Sequence, residues 1–334
     1  MKNRQPAFLL PYDALAFFLE RLHAQMELHG PLRCQDGAVR FGRLQKGDLP
    51  DLQAVRTLLS PKKYLLAPCE TILTYHSENG YQSPPQSTNP LTLLGVHPCD
   101  LAAIAYLDRQ FLGDPPDPIY AAHRERMTLV GCSCTPDNHC SCYSSPSLLP
   151  ARCDLFMQQT EKGYLISVES HRGEAMYPLI ADLLVAADQV QPQSTSRANF
   201  GVAVATPLEE ELDTTLADWQ ELADHCLGCG ACSISCPTCA CFEILEFGGL
   251  DGDSAERLRR WDNCLFRSHA QVAGGHSFQK DRAQRFRYRY RHKYRGYGPL
   301  QGVPACVGCG RCRVQCPADL DLRPLAERLE KGLS

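Results

Sequence analysis

The chain has 334 residues, a formal net charge of −4 and 44% hydrophobic residues. That length suggests two domains with enough core to fold without disulfide staples, and no apolar stretch is long and uncharged enough to span a bilayer. Nineteen cysteines in such a chain point to bound metal, because disulfides are rare in a reducing cytosol.

The start, "MKNRQPAFLLPYDALAFFLERL", is basic and then apolar like a signal peptide. Pro11 and Asp13 interrupt the apolar run, so it is read as a lead-in to a helix, and the chain is expected in the cytoplasm. Residues 12–28 have helical periodicity, with Leu15, Phe18, Leu19 and Leu22 on one stripe. After a Ser/Pro/Asn-rich surface loop, "LTLLGV" reads as a buried strand and "HPCD" as a turn. The helix "LAAIAYLDRQFL" follows with Asp100 as its N-cap, and "MTLVG" is the next strand. "DLFMQQTEKGYLISVE" predicts a hairpin turning at Lys162-Gly163, and "AMYPLIADLLVAAD" a closing helix. The polar stretch "QVQPQSTSRANFG" marks a boundary between an α/β domain, 1–195, and a second domain, 196–334. The second domain opens on a stripe of Leu208, Leu212, Leu216, Trp219 and Leu222 and is expected to be mainly helix and cysteine loops, a helical ferredoxin-like dicluster domain.

One internal repeat stands out. "CLGCGACSISCP", from Cys226, is echoed by "CVGCGRCRVQCP", from Cys306. Each reads C-x2-C-x2-C-x3-C-P. Close spacing lets three thiolates of one loop reach three corners of a cubane, and the glycines at 228, 230, 308 and 310 let backbone come near the sulfides. The fourth cysteine of such a run ligates the other cluster in two-cluster ferredoxins. The expected assignment is therefore crossed. Cys226, Cys229, Cys232 and Cys316 hold one [4Fe-4S] cluster, and Cys306, Cys309, Cys312 and Cys236 hold the other. A lone C-x2-C would suit zinc or a redox dithiol; two matched four-cysteine runs do not. Clusters with four thiolates have no open position, so the expected role is electron transfer, with no catalytic residue. Cys239, Cys241 and Cys264 are surplus to this count and read as buried thiols.

In the first domain, Cys99 ends one strand and Cys132 the next, and adjacent strand ends share one sheet edge. With Cys140 and Cys142 folding over them, Cys99, Cys132, Cys140 and Cys142 form a candidate third four-thiolate site. Cys134 competes with Cys132, and zinc or inert thiols compete with a cluster. "KDRAQRFRYRYRHKYR" carries eight basic residues and one acidic one. It reads either as a solvated face or as compensation for anionic clusters. Nucleic-acid binding, the third reading, fits poorly with an acidic chain and a segment bracketed by ligand runs. No phosphate loop and no G-x-G-x-x-G after a strand occurs, so no dinucleotide domain is expected.

"GVHPCDLAAIAYLDRQFL", "NHCSCYSS", "CLGCGACSISCPTCACF", "WDNC", "AGGHSFQKDRAQRFRYRYRHKY" and "CVGCGRCRVQCP" follow in that order. Together they resemble the iron–sulfur β subunit of cytosolic sulfhydrogenases, the NAD(P)-linked nickel–iron hydrogenases. They are similar also to the A subunit of anaerobic sulfite reductase. The resemblance covers most of the chain from about residue 64. It implies an α/β region followed by a helical dicluster domain, acting as an electron relay. The implied partners are a flavin- and NAD(P)-binding subunit and the hydrogenase small and large subunits or, in the sulfite reductase, a sirohaem subunit. The chain departs from the family at "GCSCTPDNHC", where Cys134 is an extra thiol.

Overall fold

A computed structural model describes residues 8–142, 152–187, 216–269, 271–300 and 302–321. The first part comprises β1 (Phe8–Pro11), α1 (Leu15–His23), β2 (Glu27–Arg33), β3 (Val39–Arg43), β4 (Cys69–His76), β5 (Gly80–Gln82) and β6 (Leu91–Val96). It continues with α2 (Pro98–Phe111), α3 (Pro118–Glu125), β7 (Met127–Cys132), β8 (Leu155–Gln159), β9 (Gly163–Val168), α4 (His171–Met176) and β10 (Val185–Ala186). Eight of these strands form one mixed sheet in the order β10-β1-β9-β8-β7-β6-β2-β3.

The centre of the sheet is parallel, β2 with β6, β6 with β7 and β7 with β8. Every residue of β6 is buried, as a strand covered on both faces requires. Alternation then sorts the side chains. Leu94 and Val130 face a core with Phe18 and Leu22 of α1; Leu93 and Leu129 face a core with Leu101, Ile104 and Leu107 of α2.

Several elements differ from the sequence-based expectation. α1 stops at His23 because Glu27–Arg33 is recruited as β2, paired to β3 and β6. Asp100 is not the N-cap of α2: the helix begins at Pro98, His97 holds the cap position, and Asp100 faces inward. The helix expected over 175–188 is only the short α4 followed by turns and β10, since Pro178 removes a donor and clashes with the preceding turn. The hairpin β8–β9 turns at the expected place, with Gln159 opposite Tyr164.

The second part contributes α5 (Leu216–His225), α6 (Ala231–Ile234), β11 (Phe242–Gly248), β12 (Ser254–Trp261), α7 (Arg282–Arg295) and α8 (Arg311–Val314). The expected boundary stretch, along with Leu208 and Leu212, lies outside the described residues. Trp219 of α5 packs on Tyr290 of α7, ring centroids 5.2 Å apart, and Phe286 and Leu265 complete that core. The hairpin β11–β12 had no counterpart in the sequence reading. It pairs with β4 of the first part, giving a four-stranded antiparallel sheet ordered β11-β12-β4-β5.

Candidate metal centre

The sequence repeat is a structural repeat. Each run carries a glycine in the left-handed region, Gly230 at φ 81° and Gly310 at φ 73°, that starts a one-turn helix, α6 and α8 respectively. Backbone amides then turn toward sulfur. Gly228 N–H donates to Cys226 Sγ (3.2 Å), and Leu320 N–H to Cys316 Sγ (3.3 Å). Such bonds favour the thiolate that a metal binds. Gly308 is required sterically: a Cβ there would stand 2.4 Å from Cys142 N.

All eight cysteines of the two runs line one cavity with about 1060 Å³ of empty space, its mouth open to solvent included. Burial pushes the Cys309 thiol up to about 11 and raises those of Cys306 and Cys312. Bare thiolates are thus disfavoured here, and the donor set suits a cationic metal core that neutralises them. Thiolates of a cubane each bind a different iron and stand apart around it. Among the described residues no three His, Cys, Asp or Glu side chains converge as a single ion needs.

The basic segment is α7, and its spacing directs charge inward. Arg285, Arg289 and Lys293, four residues apart, are all buried, on one helix face. Arg289 and Lys293 line the cavity. Arg289 donates to Ser233 Oγ (2.6 Å), Cys232 O (2.9 Å) and Cys239 Sγ (3.6 Å). Lys293 Nζ donates to Thr238 Oγ1 (2.9 Å). Burial alone would strip their protons, but the surrounding cysteine sulfurs outweigh it and hold both groups well above their ordinary range. Two buried cations facing sulfur are the complement of an anionic cluster. Compensation, not a solvated face, accounts for these side chains.

The first-part cysteines divide in an unexpected way. Cys99 and Cys142 pack with Val307 and Cys309. Cys140 Sγ accepts from Arg56 (3.0 Å), whose guanidinium also pairs with Asp137 and reaches Cys309 O (3.3 Å). Its hydrogen bond with Cys142, and then Arg56, bring the Cys140 thiol down to about 6. Burial raises Cys99, and the hydrogen bond with Cys140 followed by burial raises Cys142, the charge of Cys134 adding a smaller push to each. Cys132 is instead completely buried in the α1-side core with Leu155 and Met157, and burial pushes it up to about 12. Strand phase explains the split: Cys132 shares the sheet face of Val130, whereas α2, which carries Cys99, covers the other face. Of the expected set, Cys99 and Cys142 pack together and Cys140 adjoins Cys142, while Cys132 lies in the other core; Cys134 is coupled electrostatically to Cys99 and Cys142 and also to Cys132.

Residues 225–320 match the 4Fe-4S dicluster domain family. Over 328 residues the chain is 32% identical to sulfhydrogenase 2 subunit beta of Pyrococcus furiosus, covering 95% of this chain and 96% of that protein. The chain belongs to the sulfhydrogenase β-subunit family. It is an iron–sulfur electron-transfer subunit with [4Fe-4S] clusters. No solved structure matches it. Among its described residues, no helix is long and apolar enough to cross a membrane.

In this β-subunit family member, the supporting residues were less visible than the ligands. Arg311 and Asp100 form a bidentate pair (2.7 and 2.8 Å), each side chain 1% exposed, that ties the second run to α2. A signal existed: Arg311 stands where the first run has Ala231, the repeat otherwise being closely kept. Lys62 Nζ donates to Cys239 O (2.9 Å) and lies over the Trp261 ring. Burial lowers it to about 8. Nothing local in "PKKY" marks that lysine as buried.

Proposed function

We propose that this chain relays single electrons through two [4Fe-4S] clusters with crossed ligation. Cys226, Cys229, Cys232 and Cys316 hold one, and Cys306, Cys309, Cys312 and Cys236 hold the other. The observation that carries this is the single cavity lined by all eight cysteines, with Arg289 and Lys293 on its wall. The crossing is supported from both sides. Burial raises Cys306, Cys309 and Cys312, and the nearby Cys236 adds to each, as it does to Cys232 of its own run. Leu320, whose amide donates to Cys316, packs in the core that contains Cys226 and Cys232. A cluster held by four thiolates stores one electron and offers substrate no open position. The chain's own contribution is then to fix the ligands, exclude water behind α5 and α7, and supply buried positive charge that favours the reduced, more anionic state.

The reading extends to a third [4Fe-4S] cluster on Cys99, Cys134, Cys140 and Cys142. Arg56 is its cation, and the packing of Cys99 and Cys142 on Cys309 brings it beside the second-run ligands. The relative's name, a sulfhydrogenase β subunit, supports partners within a hydrogenase complex; the finer reading, a nickel–iron hydrogenase module on one side and a flavin- and NAD(P)-binding subunit on the other, in the cytoplasm, is the one that the family resemblance implies.

Metal analysis of anaerobically purified protein tests this. Two clusters give about eight iron atoms per chain and three about twelve. In the Cys236→Ala variant, the paramagnetic signal of the second-run cluster should be lost while that of the first run persists. Loss of the first-run signal alone would overturn the crossing. Co-purification of a nickel-containing partner supports the hydrogenase reading; a sirohaem partner points to sulfite reduction instead.

A further inference from the structure

The two ligand runs match closely but diverge just after their last cysteine. The first reads Cys236-Pro237-Thr238 and the second Cys316-Pro317-Ala318. Thr238 is 3% exposed, so its hydroxyl has to be satisfied inside the protein. Lys293 Nζ donates to Thr238 Oγ1 at 2.9 Å, the hydroxyl donates to Ala305 O at 2.6 Å, and Cys236 Sγ lies 3.4 Å from the same oxygen.

These contacts join three separate segments at one point. Cys236 ends the first run, Lys293 belongs to α7, and Ala305 directly precedes Cys306, the opening ligand of the second run. The Lys293 backbone tightens the junction: its C=O accepts from Ala305 N–H and from Cys306 N–H, both at 3.0 Å. Thr238 therefore pins the chain just past Cys236 to the start of the second run, where a ligand that crosses between runs has to be held.

The same hydroxyl can act on the sulfur. It has one proton and two lone pairs. Lys293 takes a lone pair, and the proton has two acceptors in reach, Ala305 O and Cys236 Sγ. A thiolate that binds metal has no proton of its own, so between Thr238 and Cys236 only the hydroxyl can donate. An ammonium on the far side of the oxygen polarises the O–H and strengthens that donation. Hydrogen bonds to cluster sulfurs are among the factors that set reduction potential, because they favour the more anionic state. The counterpart residue beside Cys316 is Ala318, which has no such group; the donor to that sulfur is the Leu320 amide.

We propose that Thr238 is a positioning residue of the second-run cluster: it seats the crossed ligand Cys236 and, backed by Lys293, gives that sulfur a hydrogen bond that raises the cluster's potential. This rests on the crossed ligation proposed above. On reduction the cluster gains one electron, and no covalent bond is made or broken. The hydroxyl proton stays on Thr238 and turns from Ala305 O toward Cys236 Sγ.

The test uses the full iron-loaded chain, titrated potentiometrically and followed by paramagnetic resonance. The second-run signal is identified as the one that Cys309→Ala removes. Thr238→Val keeps the side-chain shape without the hydroxyl. It should weaken reduction of the second-run cluster about tenfold, the worth of one hydrogen bond, which is a fall of about 59 mV for one electron. The first-run midpoint and the iron content should stay as they were. Thr238→Ser retains the hydroxyl and should restore the midpoint. In hyperfine spectra of the reduced second-run cluster, one exchangeable proton should be present in the unaltered protein and in Thr238→Ser, and absent in Thr238→Val. Loss of the second-run cluster from Thr238→Val but not from Thr238→Ser would support the seating role directly. Unmoved midpoints and an unchanged exchangeable proton in Thr238→Val would overturn the proposal, as would loss of the cluster from both variants, which would reduce Thr238 to packing. A shift confined to the first-run signal would place Cys236 on its own run's cluster and bring down the crossed ligation instead.

Discussion

Cys132 and Cys134 are two residues apart and belong to different environments. Cys132 ends β7 as a core residue between strands and α1, whereas Cys134 lies beyond the strand and outside that core. Cys134→Ser should therefore lower iron by about four atoms per chain. Cys132→Ser should leave iron unchanged and cost about 1–3 kcal/mol for burying an unpaired hydroxyl, read as an earlier denaturant midpoint. The opposite pattern would restore the sequence-based ligand set. The eight ligands of the runs were legible because their geometry is local: spacing, glycine and proline are all in the string. The choice between Cys132 and Cys134 was not, since it depends on strand phase and on where β7 ends. The same holds for Asp100, whose sequence position suits a cap but whose side chain serves Arg311. Asp100→Ala leaves that guanidinium buried and unpaired and should destabilise by about 3–5 kcal/mol. Joint replacement, Asp100→Leu with Arg311→Met, should recover much of the loss in thermal melting.

At the scale of elements, what could be read was apolar periodicity. β6, β7 and the β8–β9 hairpin declare themselves through runs of Leu, Val, Phe and Ile, and α7 through its charge spacing. β11 and β12 do not. "FEILEFG" carries two charges in seven residues and "SAERLRRW" four in eight, and their order comes from pairing across the sheet. Arg257 pairs with Glu246 and Arg260 with Glu243, all exposed and of small energetic value. Arg259 differs. It is 6% exposed and joins Glu70 of β4 (2.7 Å) and Asp117 before α3 (2.5 Å). Arg259→Ala leaves two carboxylates partly buried without their cation and should cost about 3–5 kcal/mol. Amide exchange would then speed up along β4 and β12, whereas Arg260→Ala should change neither stability nor exchange.

At the scale of the molecule, the two parts are interlocked rather than strung together. β12 completes a sheet with β4, Arg311 is neutralised by Asp100, and Ser141 N–H donates to Gly308 O at 2.8 Å. Lys62 supplies a cation beside Cys239 from the first part. A boundary read from composition at 195/196 says where the chain is polar, not where contacts end, and long-range pairing of this kind has no local signature. The consequence is testable by cutting the chain. Expressed alone, residues 196–334 would carry Arg311 with no counter-ion, β12 with one open edge and the Gly308 loop without the Cys142 backbone that fills its concavity. The second-run cluster depends on that loop; the first-run residues lean on α5 and α7, which the fragment retains. The fragment should therefore bind markedly less than eight iron atoms per chain, with the second-run signal missing first. Co-expression with residues 1–195 should restore the full content. Normal iron loading of the isolated fragment would show that the ligand runs assemble their site without the α/β part.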